Sequence, residues 1–213
     1  KQLIEIQQTG LMTINSQSFY QCEELTTFST TEFPDVISGY ETFYGCTKLV
    51  NIDTDNWDIS VVTTLKGMFD GCKQLNSLSL NMWDTNNVLY LDNMFNDCVA
   101  LDINLSFSIK NVKSMKKIFE KSGISHTNFD KFLIYCNQTQ KQKNVYLTNS
   151  PSYPYSNNAI NAYYTLVSDG WTITPGPPTN NTWFKGTFKA DSTGTITLAL
   201  NFPNNPIIIN FGS

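Results

Sequence analysis

Apolar positions along the first 122 residues recur in a fixed order. The string Phe-x-x-Cys-x-x-Leu occurs four times, at Phe19/Cys22/Leu25, Phe43/Cys46/Leu49, Phe69/Cys72/Leu75 and Phe95/Cys98/Leu101. The Phe positions lie 24, 26 and 26 residues apart, and a degenerate fifth copy, Phe119-Glu120-Lys121-Ser122, follows 24 residues later. An aromatic column keeps the same register as Phe33, Trp57, Trp83 and Phe107, with Asp58 and Asp84 after the two tryptophans. Apolar residues at intervals of three then lead to each Phe: Val62/Leu65/Met68, Val88/Leu91/Met94 and Val112/Met115/Ile118. Ile37 and Tyr40 are expected to take that role in the first full unit.

The spacing of Val88, Leu91, Met94 and Phe95 predicts one face of a short helix or 3₁₀ turn. Leu75, Leu78 and Leu80 predict a short strand with period-two alternation. One such unit cannot bury its own apolar face, whereas stacked neighbours can. The period falls in the ~20–29-residue range of leucine-rich repeats. The predicted fold class is therefore an α/β repeat, a leucine-rich-repeat solenoid of about five units over residues 1–122, with short strands and short helices or 3₁₀ turns. From Leu to the aromatic is eight residues in three units and six in the fourth; from the aromatic to Phe is ten in the first and twelve afterwards. Length changes confined to these segments are expected to be absorbed by loops.

Residues 123–174 predict an α/β C-terminal cap, because a solenoid needs an atypical last unit to shield its open core. Phe129, Phe132 and Leu133 form one helical stripe, Val145-Tyr146-Leu147 a strand, Ala159 to Leu166 a second helix, and Trp171-Thr172-Ile173 a last strand. Pro175-Gly176-Pro177-Pro178 marks a linker over 175–179. Residues 180–213 predict a small β-rich appendage. Ile196, Leu198, Leu200 and Phe202 alternate with smaller residues and make a candidate assembly face. A segment this short lacks a core of its own. Its apolar face is expected to rest on another chain or a neighbouring domain, since the prolines hold it off the cap.

The units Trp57-Asp58-Ile59-Ser60 … Met68-Phe69-Asp70-Gly71-Cys72 and Trp83-Asp84-Thr85-Asn86 … Met94-Phe95-Asn96-Asp97-Cys98 resemble the BspA-like leucine-rich-repeat surface proteins. Residues 122–134, 159–166 and 170–174 also resemble the closing end of that family, which carries a Trp where Cys136 stands. The resemblance spans about residues 15–174. It implies a surface protein of bacteria, protists or viruses concerned with adhesion and host or matrix contact, and it brings no catalytic residue with it.

Composition narrows the classes. Charged residues make up 15% of the chain, against ~25% in typical domains, and Asn, Thr and Ser fill the difference. Such a surface suits an extracellular or virion setting. The net charge is −4 without a basic block; Lys110, Lys113, Lys116 and Lys117 read as a solvated face, so no nucleic-acid partner is expected. No apolar run approaches the ~20 residues of a membrane span. The chain opens Lys1-Gln2-Leu3 without Met, which predicts a processed protein or a segment of a longer one. The cysteine column lies between core Phe and Leu positions, and parallel Cβ vectors suit disulfides poorly, so free buried thiols are expected. No Cys-x-x-Cys occurs and His126 is the one histidine, so no metal or other cofactor is expected. His126 reads as a surface residue without a catalytic partner motif, which argues against an enzyme. Asp53, Asp55 and Asp58 begin a calcium-loop spacing but lack its Gly and terminal Glu. Sequons stand at Asn104, Asn137 and Asn180, the first inside an expected strand.

The outward residues of the strands form a candidate binding face: Thr27/Ser29, Asn51/Asp53, Ser77/Ser79 and Asn104/Ser106. Each can donate or accept a hydrogen bond. The expected function is non-catalytic protein or glycan binding on a cell or matrix surface, in adhesion or host and receptor recognition. The alternative is a structural subunit or spacer of a surface filament or virion assembly, self-associating through residues 180–213.

Overall fold

The computed structural model describes residues 5–8, 12–30, 35–80, 82–105, 107–139, 142–148 and 156–174. The chain separates into two units, Lys1–Pro177 and Pro178–Ser213, and every element below belongs to the first. In chain order these are β1 (Glu5–Gln8), β2 (Thr13–Ile14), β3 (Thr27–Thr30), β4 (Asp35–Val36), β5 (Asn51–Ile52), β6 (Ser77–Leu78), α1 (His126–Thr139), β7 (Tyr146–Leu147), α2 (Asn157–Ser168) and β8 (Thr172–Ile173). All strand pairs are parallel, as they must be when each strand meets its counterpart one repeat later. One sheet has the order β1-β3-β5-β6, with Thr27, Asn51 and Ser77 in register and Phe28, Ile52 and Leu78 beside them. Strand β2 pairs with β4, and β7 with β8.

The segments between the strands hold the units together differently from the sequence expectation. Gly39, Glu41, Phe43 and Gly45 donate their N–H groups to the carbonyls of Thr64, Lys66, Met68 and Asp70 in the next unit, at 3.2, 2.9, 2.8 and 2.7 Å. Leu65, Gly67, Phe69 and Gly71 repeat this toward Tyr90, Asp92, Met94 and Asn96. The alternating N–H groups close three-residue turns, as from Met68 to Leu65 and from Cys72 to Phe69. The short helix or 3₁₀ turn expected at Val88–Phe95 is a run of separate turns closed by bonds of the 3₁₀ kind, from an N–H to the carbonyl three residues back, and no continuous helix forms. A helix directs its N–H groups along its own axis, and here half of them point sideways. The apolar spacing is the same because consecutive three-residue turns also return a side chain inward every third position. Val88, Leu91, Met94 and Phe95 are all fully buried.

Alternating directions require two left-handed residues per unit. They fall in two columns, Gln17, Glu41, Gly67, Asn93 and Lys117, and Gln21, Gly45, Gly71, Asp97 and Lys121, all with φ between 49° and 77°. Gly, Asn and Asp suit that region; Glu and Lys are strained in it.

The inward triplet of the first full unit is also corrected. Ile37 and Tyr40 are exposed, at 53% and 37%, while Val36 and Thr42 are buried. Between them Gly39 takes the place of an inward side chain because the Leu65 side chain of the next unit occupies the space of a Cβ there. Thr42 is satisfied by donating to the Asn15 and Ser38 carbonyls.

Stacking places like on like. Phe19, Phe43, Phe69, Phe95 and Phe119 form one column with ring centroids 5.0, 5.7, 5.9 and 6.1 Å apart and planes within 17°. Offset aromatic pairs of this kind add about 0.5–1.5 kcal/mol each beyond their burial. Trp57 and Trp83 stack beside them at 6.1 Å. The column ends where α1 presents Phe129 and Phe132 edge-on to Phe119, at 90° and 84°. A T-shaped contact covers the last ring and offers no parallel face for another. Helix α2 packs on α1, and its first turn is capped by Ser156, whose Oγ accepts from Ala159 N. Strand β7 continues the row of backbone bridges Thr64–Tyr90–Ser114–Tyr146, and β8 closes it.

All five cysteines are free. The thiols of Cys46, Cys72 and Cys98 donate to the carbonyls of Phe19, Phe43 and Phe69 in the preceding unit at 3.1, 3.2 and 3.0 Å. Burial pushes Cys46 up to about 12 and Cys72 and Cys136 well above the ordinary thiol value. Cys22 is half-buried.

Two predictions follow from this packing. Gly71→Ala lowers stability by about 1–2 kcal/mol through its left-handed backbone, and Lys121→Gly raises it; urea denaturation midpoints that move the other way contradict the account. With a thiol reagent at mildly alkaline pH, Cys22 reacts first and the other four react only as the protein unfolds, because a buried, protonated thiol is inert. Rapid labelling of several thiols in the native protein contradicts it.

Candidate functional site

The sheet faces outward with short polar side chains. Thr27 is half-buried and Asn51 and Ser77 are exposed, all on one register line. Asp53 is exposed beyond the end of β5, and its N–H donates to the Phe28 carbonyl at 3.0 Å. Ser29 and Ser79 are half-buried, and the Ser79 carbonyl accepts from the buried Thr54 hydroxyl. The first three rungs of the expected ladder thus lie together in Thr27, Asn51 and Ser77.

The fourth rung does not follow. Residues 101–105 form no strand, and among the described residues no hydrogen bond joins them to residues 76–80. The sheet stops at β6, and a cleft of about 450 Å³ opens between Asn76–Leu80 and Leu101–Asn104. Asn104, expected inside a strand, is exposed on the far lip of this cleft. Ser106 lies outside the described residues, as do the candidate assembly residues Ile196, Leu198, Leu200 and Phe202.

Two features keep the cleft open. First, Leu101 and Phe107 are both buried, and the chain between them is two residues shorter than in the other units. That removes about 7 Å of extended chain. Second, Asp102 binds toward α1: its Oδ1 accepts from Ser125 N at 2.8 Å and from Asn128 Nδ2 at 2.9 Å. Partial burial pushes the Asp102 carboxyl up, but these bonds and the Lys131 charge outweigh it and hold the group below the ordinary carboxylate value. On the turn row the same units remain joined, from Phe69 N to the Met94 carbonyl and from Gly71 N to the Asn96 carbonyl. The opening is therefore confined to the strand side.

The sequence reading found Ser77, Ser79 and Asn104 on the rim but missed Asn76, Asp102 and Ile103. The six-residue spacing from Leu101 to Phe107 was the available signal.

Other candidate chemistry resolves into local structure. His126 is exposed at the start of α1. Asp53 accepts from Asp55 N at 3.1 Å and Asp58 from Ser60 N at 2.9 Å, so both carboxylates brace turns. Lys110, Lys113, Lys116 and Lys117 are exposed; Lys116 lies 4.7 Å from the Tyr146 ring centroid, and Lys117 pairs with Glu120 at 3.1 Å.

The Asp70 carboxyl is raised. Burial pushes Asp70 up to about 6; the Asn96 amide, donating at 2.7 Å, lowers it, and Asp97, Glu41 and Glu120 raise it further. A folded value above the usual 3.8 means that the protonated carboxyl favours the folded state. Stability from this group is complete below about 3.8 and is lost as pH rises through about 6. Asp70→Asn is expected to raise the melting temperature near neutral pH and to flatten the decline across that window. A variant whose pH profile matches the parent contradicts the assignment.

The pattern of one known family, described as Mycoplasma protein of unknown function, DUF285, matches residues 13–149. No curated protein and no solved structure matches the chain. The matched span covers the repeated units from β2 through β7, and on that span the chain belongs to the DUF285 family, a family of repeat proteins whose function is unknown.

Proposed function

We propose that the chain is an extracellular leucine-rich-repeat solenoid of the BspA-like kind, which recognises a protein or glycan on a cell or matrix surface and carries out no catalysis. The observation that carries this reading is the register line Thr27, Asn51 and Ser77 leading into the cleft beside β6. Small uncharged side chains allow close approach, and each offers a hydrogen bond without the desolvation cost of a buried charge. Parallel stacking fixes the spacing of these groups at about 4.8 Å, which makes the face a rigid template. Ligands bind to preorganised groups with less loss of entropy. In this reading residues 1–122 form the solenoid, 123–174 its cap, 175–179 a linker and 180–213 an appendage that holds a neighbouring chain or domain.

The test is attachment of labelled protein to host cells or matrix-coated surfaces. Asn51→Lys combined with Ser77→Lys alters exposed positions, where stability changes stay within about 0.5 kcal/mol. Attachment is expected to fall at least tenfold with an unchanged melting temperature. Attachment equal to the parent overturns the reading.

A further inference from the structure

We infer that the cleft beside β6 is a docking site for an extended peptide, which adds to the sheet as a fifth parallel strand. This rests on the reading of the strand face as a recognition surface. Strand β6 is paired to β5 on one side only. Across the cleft its other edge faces Leu101–Asn104, and among the described residues no hydrogen bond joins the two sides, so backbone groups of Ser77 and Leu78 that a next repeat would satisfy are left open. An open edge of this kind is a template for another strand. The far lip is held by Asp102, which is tied to Ser125 and Asn128.

The lining selects the class of ligand. Among the described residues no aromatic lines the cleft, so these residues supply no flat apolar platform on which sugar rings pack. Leu78 and Ile103 are half-buried within it, and Ser77, Ser79 and Asn104 bring short polar groups. A strand turns alternate side chains to opposite faces. Aliphatic residues at alternate positions would meet Leu78 and Ile103, and small polar residues between them would face the serines and Asn104. Among the described residues the one carboxylate in the lining is Asp102, already engaged by two donors. The favoured peptide is therefore neutral. The paired strand itself is Ser77–Leu78, about 7 Å of edge, flanked by Asn76 and Ser79 on the same wall of the cleft; the Ser79 and Leu80 carbonyls already accept from Thr54 and Trp83.

The test uses the full chain and a displayed library of random heptapeptides, with a panel of neutral and acidic glycans in parallel. Expected are neutral peptides with alternating aliphatic and small polar residues. N-methylation at every second position of a selected peptide should weaken binding more than tenfold in one register and less than twofold in the other, because one edge of a parallel strand uses alternate N–H groups. Amide exchange at Ser77 to Leu80 should slow on binding. Inserting two residues after Asn104, which restores the eight-residue spacing, should remove binding while the melting transition remains. The N-methyl comparison needs no variant, so a misfolded insertion does not leave the question open. No selected peptide, equal loss in both methylation registers, or unchanged affinity in a folded insertion variant overturns the inference. Glycan binding without peptide binding overturns it and leaves the recognition reading standing; attachment to cells or matrix that survives the Asn51→Lys/Ser77→Lys pair overturns that reading instead.

Discussion

Every second N–H group of the turn row leaves its own unit and donates to the next, and the rest of the structure depends on that arrangement. It fixes the register between units to a single residue, which places Phe on Phe, Trp on Trp and Cys beneath the carbonyl of a preceding Phe. It also forces two left-handed residues into each unit, because a chain that alternates its N–H directions while keeping apolar side chains inward must reverse its twist at fixed points. The backbone cost of Glu41, Lys117 and Lys121 in that region is borne because one displaced residue would break four hydrogen bonds and one aromatic stack together.

The same constraint explains which parts of the chain were legible. The columns of Phe, Cys, Leu and Trp were visible because each position is buried against its own copy. Stripes on α1 and α2 were visible because a helix packed on one side leaves a plain period. The turns were legible only as a short helix or 3₁₀ turn, because a three-residue spacing fits both a tight helix and a run of turns. Gly45, Gly67, Gly71, Asn93 and Asp97 were the distinguishing signal, since these residue types suit left-handed backbone and weaken a helix. Ile37 and Tyr40 were misplaced because a glycine, Gly39, holds an inward position, and no hydrophobic pattern registers an absent side chain.

The candidate site shows a different limit. Length variation between repeats was visible in the spacing of Leu101 and Phe107, and surface loops normally absorb such changes. Here the shortened segment runs between two buried anchors, Leu101 and Phe107. Its loss is expressed as a break in the sheet, while the turn row and the aromatic column pass through the same unit unchanged. The place where the repeat departs from its own rule is also the place where unsatisfied backbone edge, polar rim and free space coincide. Departures of this kind are where function is commonly found on otherwise regular frameworks.

The directions of the sideways bonds have a mechanical consequence. Bonds between parallel neighbours lie across the strands, along the line in which the units are stacked. A pull along that line loads the interfaces in series, so every interface carries the full force and the weakest yields first. Each released unit of 24 or 26 residues lengthens the chain by roughly 80–90 Å. Under tension the molecule would lengthen in repeat-sized steps, an extensible tether whose increments are set by the distance from one phenylalanine to the next.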